Sequence, residues 1–444
     1  MNTALRPSIK TELPGPCGRA IIAQDEAYTS PSYIKEYPLV ADRGQGCFID
    51  DVDGNRFLDM MAGIAVNSTG YAHPHVMGAV REAIEKVWHI CGTDFYTDSF
   101  SRLSAKLSGY LPEMGKKRVF LTNSGTEAVE GAIKLARFHT KRKGLLSFYG
   151  GFHGRTLGAL SLTASKIRQR ENFGPFIPGV VHADFPDVLR RPAGMTPEEC
   201  GLEAIQKIER QLFTRVVSPD ELAAIFVEPI QGEGGYVVPP KSFLTGLRSL
   251  CDRHGIMLVF DEVQSGVGRT GEMYAADYFD VAPDILLTAK GLGSGLPIGA
   301  IIAREGVMDW TRGSHGSTFG GNNVSCAAAI ATLEVVEKIL PDIRSHGALL
   351  TSGLKKLAAK HPCIIDVRGP GFMVGMELAD PITKNPIPEV MANLEQMAFR
   401  EGLLLLGCGA STIRFAPPLV CGPHEIAIAL EILDHCLERV SPSF

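Results

Sequence analysis

Six short, mostly apolar runs punctuate the middle of the chain, at residues 118–122, 145–149, 223–228, 257–261, 285–288 and 300–303. Runs of this length, bounded by Gly, Pro or charge, predict buried strands. Their hydrophobicity is continuous rather than alternating, as in strands covered on both faces. Helical patterns fill the intervals. Strand–helix alternation of this kind predicts βαβ units, a mainly parallel central sheet and an α/β fold.

The flanks differ. Residues 1–30 are rich in Pro, Gly and polar residues, which predicts an extended arm able to pack on a partner subunit. Residues 47–59 carry two apolar stretches around Asp53-Gly54, a strong hairpin signal. A small-residue loop follows, then a helix over 76–87. Beyond residue 326 the pattern AAAIATLEVVEKIL predicts a helix that stops at Pro341. After it come a helix near 343–361, strands near 364–368 and 373–378, and a helix near 388–401. A strand pair at 403–406 and 412–415 and a helix from residue 424 complete the chain. That mixture is α+β. The expected organisation is therefore an N-terminal arm and part of a small domain over 1–70, a large domain over 71–335, and a small domain over 336–444.

Composition narrows the class. At 444 residues the chain exceeds one ordinary core, so more than one domain is expected. A net charge of −5 argues against nucleic acid or an anionic membrane as the main partner. Ten cysteines without a CxxC point to reduced thiols in a cytoplasmic protein and to no metal site. The N-terminus lacks the apolar core of a secretory signal, and no run reaches membrane-spanning length.

The chemistry gathers where the runs end. The run at 257–261 closes on Asp261 and Glu262, and that at 285–288 leads through Ala289 to Lys290 and a string of glycines. Ligands bind outside the carboxyl ends of parallel strands. A buried lysine loses its proton readily and becomes a nucleophile, and a buried acid can hold a proton on a heteroaromatic nitrogen. The pair points to pyridoxal phosphate (PLP). Ser124-Gly125-Thr126-Glu127 opens a helix with capping-box spacing. Its free N–H groups suit a phosphate, and the same residues equally describe an ordinary capped helix. Phe152, His153 and Arg155 lie in a Gly-rich loop. There the aromatic can stack on a flat ring and the guanidinium fork matches a carboxylate, unless the glycines merely turn the chain and Phe152 joins the core. Glu228 ends another strand, and Thr318 in GSTFGGN is a further phosphate ligand candidate. Arg414 sits in an apolar run and needs a partner, for which a substrate carboxylate or Glu228 would serve. His73 and His75 have no nearby carboxylate to complete a metal site and read as a loop before a helix. No strand is followed by GxGxxG, which sets a dinucleotide enzyme aside.

The segments FLTNSGTEAVEGAIKLAR, GGFHGRT, EPIQGEGG, FDEVQSGVGRTG, TAKGLGSGLPIGA and GSTFGGN, in this order, resemble the class III aminotransferases. These are fold-type-I PLP enzymes, and the resemblance covers roughly residues 35–440. It is strongest to the ω-aminotransferases that include the 4-aminobutyrate and acetylornithine enzymes. The resemblance implies that Lys290 carries the cofactor as a Schiff base and moves the proton, and that Asp261 pairs with the pyridine nitrogen. It implies Val263 below the ring, Phe152 above it and Gln264 on the ring hydroxyl, with His153 among the cofactor-binding residues. Ser124, Gly125 and Thr126 would hold the phosphate with Thr318 of the partner subunit, in a homodimer with shared sites or a tetramer of such dimers. Arg155 and Arg414 would bind substrate carboxylates, with Glu228 paired to Arg414 and able to swing away. The implied reaction is transfer from an ω-amino acid to 2-oxoglutarate. An amino-acid racemase or epimerase on the same scaffold is the alternative, because both reactions use these residues.

Overall fold

The computed structural model describes residues 5–440. Residues 1–4 and 441–444, which belong to the expected arm and to the expected end of the small domain, lie outside them.

The N-terminal arm is not extended throughout. Pro16–Tyr28 is an α-helix. Pro16 supplies the helical φ at its first position, but Gly15 offers no side-chain cap. The cap comes from the hairpin instead: the Asp53 carboxylate accepts from the N–H groups of Cys17 and Gly18, each at 2.8 Å. A Cβ on residue 15 would collide with Asp53, so glycine permits the contact. Local sequence shows no helix start here because the capping group lies far along the chain.

Strands β1 (Ala41–Gln45), β2 (Phe48–Asp51) and β3 (Arg56–Asp59) form an antiparallel ribbon. Asp53-Gly54 turns between β2 and β3, with Gly54 at φ +81°. The central sheet contains β4 (Lys117–Thr122), β5 (Gly144–Phe148), β6 (Val180–Ala183), β7 (Leu222–Val227), β8 (Met257–Asp261), β9 (Ile285–Thr288) and β10 (Gly299–Arg304). Its order is β4-β10-β9-β8-β7-β5-β6. Only β10 runs against its neighbours, so the sheet is mainly parallel. β6 is absent from the sequence prediction: its residues VVHA are short and include a histidine.

Alternate residues of the central strands enter two different cores. Ile225, Val227, Leu258, Phe260 and Leu286 face one, with the helix Lys241–His254. Ala224, Phe226, Val259, Ile285 and Leu287 face the other, with the helix Gly125–Thr140. Burial on both sides explains the unbroken hydrophobicity, at about 1.5–3 kcal/mol for each buried large side chain. It also confines polar chemistry to the strand ends. The carboxyl ends of β4, β5, β7, β8 and β9 share one edge.

The helix expected to stop at Pro341 continues through it, as one 38-residue helix Asn323–Lys360. Proline deletes one backbone hydrogen bond. Here Pro341 is exposed, while Leu333 and Val336 before it and Ile343, Leu350 and Leu354 after it are buried. Packing on both sides therefore outweighs the lost bond. Residue 335, the end of the expected large domain, lies within this helix. Beyond it, β11 (Ile364–Arg368) and β12 (Val374–Leu378) are followed by the helix Pro388–Arg400.

The strand pair expected at 403–406 and 412–415 splits between two sheets. β13 (Leu403–Leu404) lies parallel to β3 and joins the N-terminal ribbon. β14 (Leu406–Cys408) pairs with β15 (Thr412–Phe415) in the antiparallel sheet β11-β12-β15-β14. The helix Pro423–Val440 follows.

If Asp53 is the remote cap, Asp53→Ala should speed amide hydrogen exchange at residues 17–20 and leave β7 and β8 protected. Unchanged exchange at the start of that helix would remove the capping assignment.

Candidate active site

Asp261, the last residue of β8, is held from both oxygens. Oδ2 pairs with His153 Nδ1 at 2.7 Å, and Oδ1 accepts from Val263 N at 3.1 Å. Both residues of the pair are 4% exposed. Burial disfavours the charged imidazole, but the hydrogen bond and charge of Asp261 outweigh it, so the His153 pKa lies above its ordinary value.

Lys290 opens a single 3₁₀ turn after β9. Its pKa is lowered, chiefly by burial. Asp261, Glu228 and Glu233 oppose the shift and Arg414 assists it, so all four lie within electrostatic reach. Its backbone has φ +36°, a conformation that costs a non-glycine residue about 1–2 kcal/mol. The segment beneath it is strained too: Ala62, Ile64 and Ala65 have φ of +48°, +66° and +59°. The two meet where a Cβ on Gly291 would strike Ser68 Oγ. Loop 62–68 and the lysine turn are thus locked together.

The phosphate candidates stand at the start of the helix Gly125–Thr140. Ser124 Oγ caps it by accepting from Glu127 N at 3.3 Å. Glu127 reaches past Ser124 to accept from Asn123 N and Nδ2, at 2.8 and 2.9 Å. Thr126 Oγ1 lies 2.8 Å from Thr156 Oγ1, which donates to Glu130. A Cβ on Gly125 would lie 2.7 Å from Val263 Cγ1, and one on Gly154 would collide with Thr126 Oγ1. These glycines bring the helix start, the Phe152 loop and the end of β8 into one cradle. Phe152 is half-buried, and the exposed Arg155 guanidinium lies 5.6 Å from its ring. Thr318 is exposed on the 316–322 loop, which is tied to the cradle by Asn123 Nδ2 donating to Ser317 Oγ at 3.2 Å.

The partner of Arg414 differs from the expectation. Arg414 Nη1 donates to Glu233 Oε1 at 2.6 Å, and Glu233 Oε2 lies 3.8 Å from Lys166 Nζ. Glu228 is engaged elsewhere. Its oxygens accept from Phe152 N at 2.9 Å and Gly232 N at 3.0 Å, and burial raises its pKa despite the charge of His153. At the strand end Glu228 is close to two loop amides, whereas Glu233, five residues on, crosses to β15. The sequence shows both acids in EPIQGEGG but not which one reaches a residue about 180 positions away. Lys166 and Tyr236, whose hydroxyl donates to Gln264 Oε1 at 2.8 Å, also carry no sequence motif of their own.

The model of the family described as aminotransferase class-III matches residues 29–437. The chain belongs to the class III aminotransferases. It is 38% identical to the alanine/serine racemase of Pyrococcus horikoshii, over 97% of this chain and 93% of that protein. It is also 38% identical to the 4-aminobutyrate aminotransferase GabT of Escherichia coli, over 91% of this chain and 94% of that one. An amine transaminase from an uncultivated Pseudomonas species, solved in its PLP-bound form, superposes with a TM-score of 0.87 at 30% identity, covering 93% and 98% of the two chains. This class III aminotransferase is accordingly a PLP-dependent α/β protein of fold type I, with amino-donor and oxo-acid substrates. The donor set fits the cofactor. A held carboxylate, a lysine with a lowered pKa and a glycine-lined helix start are the groups that its ring nitrogen, aldehyde and phosphate require.

A histidine whose pKa rises on folding adds stability below its ordinary value, near 6.5, and that stability fades as pH climbs through the raised value. Urea titrations of the cofactor-free enzyme should therefore show the largest advantage over His153→Gln below about pH 6.5. The advantage should shrink toward alkaline pH. An advantage that grows with pH would contradict the His153–Asp261 assignment.

Proposed function

We propose that this enzyme moves the amino group of an ω-amino acid, 4-aminobutyrate or an acetylornithine-like amine, to 2-oxoglutarate. The observation that carries the reading is the Arg414–Glu233 pair within electrostatic reach of Lys290. With Glu233 in place the guanidinium is neutralised, and the site suits a substrate with no α-carboxylate. With Glu233 turned toward Lys166, Arg414 is free to bind the α-carboxylate of 2-oxoglutarate or glutamate. Arg155, exposed over Phe152, is positioned for the distal carboxylate.

PLP, when bound, supplies an electron-accepting ring that eases bond breaking at the amino-bearing carbon of the substrate. Lys290 would anchor it covalently, and burial favours the neutral amine that would let it take and return the proton at that carbon as a general base. Asp261, oriented by His153, would hold the proton of the ring nitrogen. Ser124, Gly125 and Thr126 bind the phosphate through the helix start. Val263 and Phe152 would flank the ring, and Gln264 would meet its hydroxyl. Thr318 serves the partner subunit's site in a homodimer. The exposed Trp88, Phe95, Tyr96 and Phe319, the last beside Thr318, support burial of this face. The cysteines, scattered without a CxxC, support a reducing compartment, the cytoplasm. The proposed division, an N-terminal arm and part of the small domain over 1–70, the large domain over 71–335 and the rest of the small domain over 336–444, is supported by the β13–β3 pairing.

The second reading, amino-acid racemisation, is favoured by 38% identity to the Pyrococcus racemase over nearly the whole chain. A panel of ω-amines and D- and L-amino acids, each with and without 2-oxoglutarate, separates the two. Transfer requires ω-amine-dependent glutamate formation. Epimerisation without any oxo acid, and no glutamate from any amine, would overturn it. Lys290→Ala should abolish the visible absorbance of bound PLP and lower turnover by about 10²–10⁴-fold. Retained turnover would remove Lys290 from its role.

A further inference from the structure

Tyr236 has no exposed surface. Its backbone sits at φ +49°, a region unfavourable to any residue but glycine. Several contacts enforce that conformation. Gln231 and Val237 pair to close the loop, and Tyr236 N donates to Gly232 O at 3.2 Å. From β11, Arg368 donates through Nε to Tyr236 O at 3.0 Å and through Nη2 to Gly235 O at 2.6 Å. A Cβ on Gly375 of β12 would lie only 3.0 Å from Tyr236 Cβ.

The strained backbone delivers the hydroxyl to Gln264, three residues beyond Asp261, where it donates to Oε1 at 2.8 Å. A buried hydroxyl proton needs an acceptor. A glutamine amide has one oxygen that accepts and one NH₂ that donates, and hydrogen bonding decides which way round it lies. Turned over, Gln264 would leave the Tyr236 proton without an acceptor. Its oxygen is therefore committed to Tyr236. The Nε2 group packs at Gly232, where any Cβ would collide with it, and meets no acceptor among the described residues.

We propose that Tyr236 is a positioning residue that locks the Gln264 amide so that it faces the cofactor as a hydrogen-bond donor only. This rests on the proposed role of Gln264 at the ring hydroxyl. The loop that carries Tyr236 also carries Glu233 to Arg414, so the donor at the ring and the carboxylate switch share one anchor, Arg368.

The test is a double-mutant cycle on the holoenzyme: wild type, Tyr236→Phe, Gln264→Ala and the double variant. Two quantities are measured for each, the dissociation constant of PLP and the pH midpoint of its visible absorbance. Phenylalanine keeps the packing but frees the amide. Tyr236→Phe should weaken PLP binding about five- to tenfold, the worth of one hydrogen bond to a committed partner, and move the absorbance midpoint. In the Gln264→Ala background the same substitution should change neither. An equal loss in both backgrounds would mark a merely structural role and overturn the proposal, as would no loss in wild type. A wild-type protein with no visible band on PLP addition would overturn the cofactor-binding reading itself. A normal wild-type band with an unaltered Tyr236→Phe defeats this proposal alone.

Discussion

Desolvation at one edge of the central sheet governs the rest of the site. Both faces of β5, β7, β8 and β9 are packed, so polar groups survive only where those strands end. Charges placed there lose most of their water and must be paired or hydrogen-bonded. Asp261 is matched by His153, Glu228 by two backbone amides, and Arg414 by Glu233. In this set Lys290 alone has no hydrogen-bonded partner among the described residues, and burial lowers its pKa. The amine is thus set apart from the paired charges around it.

The same economy governs the backbone. Gly125, Gly154, Gly232 and Gly291 each stand where a Cβ would strike a neighbouring side chain. Without those close approaches the helix start, the Phe152 loop, the Glu233 loop and the lysine turn would stand apart. Left-handed residues other than glycine mark the stress of that assembly: Ala62, Ile64 and Ala65 under the lysine, Lys290 itself, and Tyr236 behind Gln264. Strain at such positions persists only where surrounding contacts outweigh it. Here they include Arg368 on the Tyr236 loop and the closely packed Ser68 and Gly291 at the lysine turn.

Much of this was legible in residue order. Five of the six apolar runs lead into the segments that carry the candidate site residues, because burial on both sheet faces writes itself as uninterrupted hydrophobicity. The Ser124 cap and the Asp53-Gly54 turn were equally readable, since each is completed within a few residues. What escaped shares one property: it depends on a partner remote in sequence. The helix Pro16–Tyr28 takes its cap from Asp53. The helix Asn323–Lys360 survives Pro341 through packing on either side. Residues 403–408 divide between two sheets because β3 and β15 both compete for them.

Residue order alone encodes the alternation of strand and helix, the acid and the lysine at the ends of successive strands, and the resemblance that named the family. These are encoded by local hydrophobic period and by motifs a few residues long. The folded chain, not the local sequence, settles that Glu233 rather than Glu228 grips Arg414, that His153 holds Asp261, and that Tyr236 hydrogen-bonds the amide of Gln264. Each of those choices is a hydrogen bond between residues many positions apart. Its existence depends on where the chain brings two polar atoms within about 3 Å of each other.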